Sequence, residues 1–200
     1  VTVTNAADTG GGAGLNAWVD ESMRIVGDSG DYILAAAVGD PTALDAVRDT
    51  LRGLLKGRQV RLHWHTENNR RRADLASAVG CFDLASIVVV GTPMVRAKQE
   101  RARRKCLERL LHELDQLGVE RVYTEARSPR LNVRDQRMVD ALRVRGVIGE
   151  SLRVEIGRPT EEPMLWVPDI VAGAVAGSRA GAADLVAPLR QVLTEIQVTL

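Results

Sequence analysis

Asp20 and Glu21 are adjacent carboxylates closing the short stretch Asn16-Ala17-Trp18-Val19. Core packing does not need such a pair, and neither does a turn; a metal site would use one. Successive side chains of a strand face opposite ways, so only one of the two shares Trp18's side. Further acids stand at element boundaries: Glu125 at the end of a later strand, Asp169 in the first turn of a late helix, and Glu67 in the first turn of an earlier one. In an open α/β sheet, strand ends and helix starts often meet at one edge. Carboxylates gathered there repel unless a divalent cation neutralises them. Mg²⁺ suits such a site, because it takes oxygen ligands and keeps waters that a phosphate can replace. Two such ions stabilise the attacking and leaving oxygens of a phosphodiester displacement.

Each acid also has an ordinary use. First-turn carboxylates favour the helix dipole, which by itself accounts for Asp169 and Glu67. Glu125 has Arg127 close by as a pairing partner. His63 and His65 are two apart in a run that reads as a strand, on one face. No cluster of cysteine or histidine completes a four-ligand zinc site around them, which leaves a structural role or, for one of them, proton transfer near neutral pH. Basic residues concentrate at Arg70-Arg71-Arg72 and across Arg96, Lys98, Arg101, Arg103, Arg104 and Lys105. They read either as solvated helix faces or as contacts to a phosphate backbone.

The elements that must position these residues follow from periodicity. Strands are expected at about 15–21, 32–38, 60–65, 84–90, 119–125 and 152–156. Helices are expected from Pro41 to about 56, from a Thr66 cap to about 79, over 95–117, from Asn132 or Arg134 onward, from Trp166 to Gly177 or Gly181, and over 185–200. Tyr32–Val38 is apolar throughout and suits a strand buried on both faces. On the 95–117 helix, Leu107, Leu110, Leu111, Leu114 and Leu117 form one stripe, with Cys106 beside it. Together these predict an α/β fold with a mixed sheet flanked by helices on both faces. Residues 1–14, Gly-rich and Ala-rich, read as a flexible leader, 15–180 as the domain, and 181–200 as a C-terminal helical extension.

Composition bounds the rest. The 200 residues suffice for a real core, but aromatics make up only 3%, so that core must be Val, Leu, Ile and Ala. A net charge of +1 exerts no global pull on nucleic acid or membrane. The sequence shows neither a secretory signal nor an apolar run long enough to span a bilayer. Cys81 and Cys106 lack a CxxC spacing, so reduced thiols in a cytoplasmic protein are the expectation.

Val19-Asp20-Glu21-Ser22 and Leu165-Trp166-Val167-Pro168-Asp169-Ile170-Val171-Ala172-Gly173-Ala174, with Leu62-His63-Trp64-His65-Thr66-Glu67 and Thr124-Glu125-Ala126-Arg127-Ser128 between them, resemble the motifs of domain-of-unknown-function family 3800. The resemblance spans about residues 15–178. It implies an RNase H-like fold and a metal-dependent nuclease. Asp20 would be the first-strand carboxylate, Glu125 the later-strand one and Asp169 the helix one, with Glu67 matching an acid of the first helix. Asp20, Glu125, Asp169 and Glu67 would hold Mg²⁺ or Mn²⁺, and His63 or His65 would assist proton transfer. The sequence departs from the pattern at Met23, where many members have Gly. It departs again in the acid-free 84–90 strand, since the RNase H arrangement places an acid on the fourth strand and Glu125 falls one predicted strand later. The expected activity is hydrolysis of RNA or DNA. The alternative is a catalytically silent domain of the same fold that binds nucleic acid or a protein partner.

Overall fold

The computed structural model describes residues 14–181 and 184–200. Apart from Gly14, the leader expected over 1–14 lies outside the described residues. Strands β1 (Leu15–Val26) and β2 (Ser29–Gly39) form a long antiparallel hairpin. Its two-residue turn opens on Gly27, whose φ of 61° is a conformation that favours glycine. The first strand thus runs five residues past Glu21, beyond the expected end. Strand β3 (Ala85–Val95) pairs antiparallel with β2. Helix α3 (Gln99–Gln116) then crosses to β4 (Val119–Glu125), which lies parallel to β1 on its other side. Helix α4 (Pro129–Val144) leads to β5 (Arg153–Gly157), parallel to β4.

The six-stranded sheet has the order β5-β4-β1-β2-β3-β6, with mixed strand directions. Helices α1 (Asp45–Gly53) and α2 (Asn69–Gly80) lie in the β2–β3 connection, and α5 (Trp166–Arg179) follows β5. Two cores result. One holds Trp18, Ile33, Ala35 and Val88 with Leu51, Leu75, Ile170 and Val171 of α1, α2 and α5. The other holds Val19, Leu34, Ala36 and Val89 with Leu107, Leu111 and Val139 of α3 and α4. The β2 residues alternate between the two, which is why its apolar run has no polar face. Helices do flank both faces of a mixed α/β sheet, as expected.

Two expected elements are different. Residues 60–65 make no strand: the chain there bends into a 3-10 turn at Trp64–Thr66. The buried Trp64 packs against helix α5 rather than on a sheet. The helical extension expected over 181–200 is also overturned. Leu193–Thr199 is β6, an edge strand parallel to β3. Thr194, Ile196, Val198 and Thr199 are β-branched, and Ile196, Val198 and Leu200 alternate toward the α3 core. Smaller shifts occur at helix ends. Asn68, not Thr66, caps α2, accepting from the Arg71 N–H at 2.9 Å. Helix α4 starts at Pro129. Leu117 caps the end of α3 and is 51% exposed rather than part of its stripe. Cys106 is buried, Cys81 is exposed, and neither is in a disulfide. Among the described residues no helix is long and apolar enough to cross a membrane.

Candidate active site

The site is set by where β4 stops. The last β1–β4 pair is Val19 with Thr124, so Asp20 and Glu125 follow side by side on neighbouring parallel strands. Two residues earlier, the rings of Trp18 and Tyr123 stack at 5.8 Å on the α5 face of the sheet. Side chains repeat every second residue, so Asp20 and Glu125 continue that face. Beyond this point β1 keeps only β2 as a neighbour, and a cleft of about 130 Å³ opens, lined by Asp20, Glu21, Glu125, Arg103 and Arg127 among others.

Asp169 reaches the same face from above, in the first turn of α5. It is buried, and its Oδ2 accepts the Trp64 backbone N–H at 2.8 Å. The His63 Nδ1 lies 3.3 Å from the same oxygen, and the His65 ring sits edge-on to His63 at 5.7 Å. The loop carrying both histidines is pinned through Trp64. Its indole lies against Gly173 of α5, where any Cβ would come within 2.5 Å of three indole atoms. Arg72 stands over the ring, 5.3 Å from its centre, and donates from Nε to the Trp64 carbonyl at 3.1 Å.

The three acids act on one another. Burial, then the charges of Glu125 and Asp169, hold the Asp20 carboxyl well above the usual carboxylate range. The Glu21 N–H, donating to Asp20 Oδ1 at 2.7 Å, opposes this only in part. Glu125 accepts from Arg61 at 3.0 Å rather than from Arg127. With Glu125 turned to Arg61 and Asp169 to Trp64, no three His, Cys, Asp or Glu side chains among the described residues stand close enough to hold an ion as placed.

Glu21 faces the other way, as strand geometry requires. It accepts from the Tyr32 hydroxyl and the Arg103 guanidinium, and Arg127 lies 3.9 Å away. Arg103 also pairs with Asp135 at 2.8 Å, and Arg127 pairs with Glu100. Burial opposes the charge on Arg103, but the carboxylates of Glu21 and Asp135 outweigh it and hold the guanidinium ionised. Burial, then Glu21, pushes the Tyr32 phenol well above its usual range, so it donates.

The structure therefore places Asp20, Glu125 and Asp169 on one face of the sheet, with His63 against Asp169, but not as a ready set of ligands. Glu67 is not placed with them; it precedes the α2 cap and accepts from Gln59 at 2.8 Å. The first basic cluster is largely structural: Arg71 is buried and donates to the Leu54 carbonyl, and Arg72 holds Trp64. In the second, Arg103 is buried and Lys105 donates to the Thr199 carbonyl at 3.0 Å. Arg61, the Trp64 N–H and Gly173 were not legible as site residues. The single hint was a glycine facing into an otherwise apolar helix, which marks close approach by another group.

No family model matches the chain, and no curated protein is detectably similar to it.

Proposed function

We propose that this protein is a metal-dependent phosphodiester hydrolase of RNase H-like fold, acting on RNA or DNA. The observation that carries the reading is the placing of Asp20, Glu125 and Asp169, from β1, β4 and α5, on one sheet face, with the Asp20 carboxyl raised by burial and then by the other two charges. Strand count supports it. With residues 60–65 in a loop, Glu125 ends the fourth strand, where the RNase H arrangement has its acid, so the departure noted in the sequence disappears. The resemblance to domain-of-unknown-function family 3800 points the same way, and a cytoplasmic setting accords with the unpaired thiols.

The donor set fits Mg²⁺ or Mn²⁺, because it is all carboxylate oxygen and its mutual repulsion is what such a cation relieves. Asp20, Glu125 and Asp169 would hold it; Glu67, tied to Gln59, lies outside the set. When bound, the metal supplies charge stabilisation to the reacting phosphate oxygens. Asp169 orients His63. With Nδ1–H directed at the carboxylate, the Nε2 lone pair is the one that accepts a proton from attacking water.

The test is cleavage of labelled RNA and DNA by the purified chain in Mg²⁺ or Mn²⁺. Asp20→Asn, Glu125→Gln and Asp169→Asn should each lower the rate by about 100-fold or more. Activity that survives all three sinks the reading. The ion pair from Arg61 to Glu125 favours a second one, a silent domain that binds nucleic acid. That domain would bind without metal, lose affinity steeply with salt, and cleave nothing.

A further inference from the structure

One face of α4 carries Arg130, Arg134 and Arg137, all exposed, while Met138, Val139 and Leu142 turn to the core. The spacing of four and then three residues aligns the arginines along the helix over about 10 Å. Across a groove of about 260 Å³ stands Arg104 of α3, also exposed. The acids beside them are engaged elsewhere. Asp135 pairs with Arg103, Asp140 with Arg143, and Glu100 with Arg127, although Glu100 also feels the charge of Arg134. Val133, 51% exposed, lies among the arginines. Helix α4 opens four residues after Glu125, so the stripe starts at the end of the sheet where the carboxylates lie, over the opposite face, and leads away from it.

We infer that this arginine face is the track for the phosphates of one nucleic-acid strand whose scissile bond lies at Asp20 and Glu125. The inference rests on the phosphodiester reading and adds to it the path of the flanking strand. An unpaired cationic row seeks a regularly spaced polyanion, and guanidinium groups suit phosphate oxygens in particular. The protein's net charge of +1 gives no general attraction, so a local row is what would supply one. Such contacts hold the backbone without reading its sequence.

The experiment is fluorescence anisotropy with a short single-stranded oligonucleotide in EDTA, across a salt series. The proteins are wild type, the triple variant Arg130→Gln, Arg134→Gln, Arg137→Gln, and Asp20→Asn. Each phosphate contact on a single strand contributes about 0.7 to the slope of log K against log salt, so the triple variant should lose about 2 from the slope and bind roughly tenfold or more weakly at low salt. Circular dichroism checks that it is folded, as exposed substitutions should leave it. A triple variant with wild-type affinity and slope overturns the inference. So does a wild-type protein that does not bind, or displacement of the oligonucleotide by polyglutamate at equal charge, which would mark an acidic protein as the partner. Working without metal separates the two readings. Loss of the track in the triple variant together with absent Mg²⁺ binding would sink only the carboxylate chemistry.

Discussion

The backbone N–H of Trp64 donates to the carboxylate of Asp169 at 2.8 Å, and this bond ties the histidine loop to the helix that completes the acidic cluster. It exists because Gly173, one turn further along α5, has no side chain to hold the Trp64 indole away. Gly173→Ala should therefore destabilise the protein by about 1–3 kcal/mol through overpacking, although alanine in a helix ordinarily gains up to about 1 kcal/mol over glycine. Thermal melts read the sign directly. A more stable variant would mean that the ring does not lie where it is described.

Arg61 and Glu125 form a partly exposed pair at 3.0 Å, with both side chains about one-third exposed or less. Such a pair contributes at most about 1 kcal/mol. Arg61→Gln should cost little stability without metal, yet free Glu125 for a cation and tighten Mg²⁺ binding. Calorimetric titration compares the variants, and weaker Mg²⁺ binding in Arg61→Gln would show that Arg61 supports the metal site rather than competing with it.

Asp20 gives a stability profile of unusual sign for a carboxylate. Its folded-state pKa is raised by burial, then by Glu125 and Asp169. Between the ordinary aspartate range and that raised value the folded state holds the extra proton, so stability falls as pH rises through the window. Asp31 has the opposite sign. Burial works against its charge, but Arg179 and its other partners outweigh that and lower its pKa, so its contribution is lost as pH falls. Asp20→Asn should flatten the decline toward neutral pH and raise the melting temperature of the metal-free protein there. Denaturation across a pH series measures this, and a variant less stable than wild type at neutral pH contradicts it.

Behind the site, the buried Arg103 bridges Glu21 and Asp135 across β1, α3 and α4. Removing one member of a buried pair leaves an uncompensated charge, at a cost of about 3–5 kcal/mol. Arg103→Ala should lower the melting temperature by roughly 6–20 °C for a chain of this length. A shift of a degree or two would place the network in water rather than in the core.

Much of this was legible in the sequence, and the rest failed for identifiable reasons. The apolar run of β2 and the leucine stripe of α3 announce themselves, because periodicity reflects which face is buried. Asp20, Glu125 and Asp169 stand out as acids at element ends; register sets Asp20 beside Glu125, and α5 carries Asp169 to the same face. The loop at 60–65 imitated a strand, because Leu62 and Trp64 alternate with polar residues, but their burial comes from helices rather than a sheet. That one misreading added a strand to the count and displaced Glu125 from its expected place. The alternation of Ile196, Val198 and Leu200 was hidden by leucines that also suit a helix, and only the open edge of β3 decides between them. Glu67 looked like a helix-start ligand, but a neighbouring glutamine takes it.

The most direct measurement is calorimetric titration of Mg²⁺ and Mn²⁺ into the wild type and Asp20→Asn, repeated with a non-cleavable oligonucleotide present. The predicted result is saturable binding to the wild type that disappears in the variant, with thermal stabilisation of about 2.7 kcal/mol at one hundred times the dissociation constant. Equal binding by both proteins, or none by the wild type even with the oligonucleotide, would contradict a carboxylate metal site at Asp20, Glu125 and Asp169.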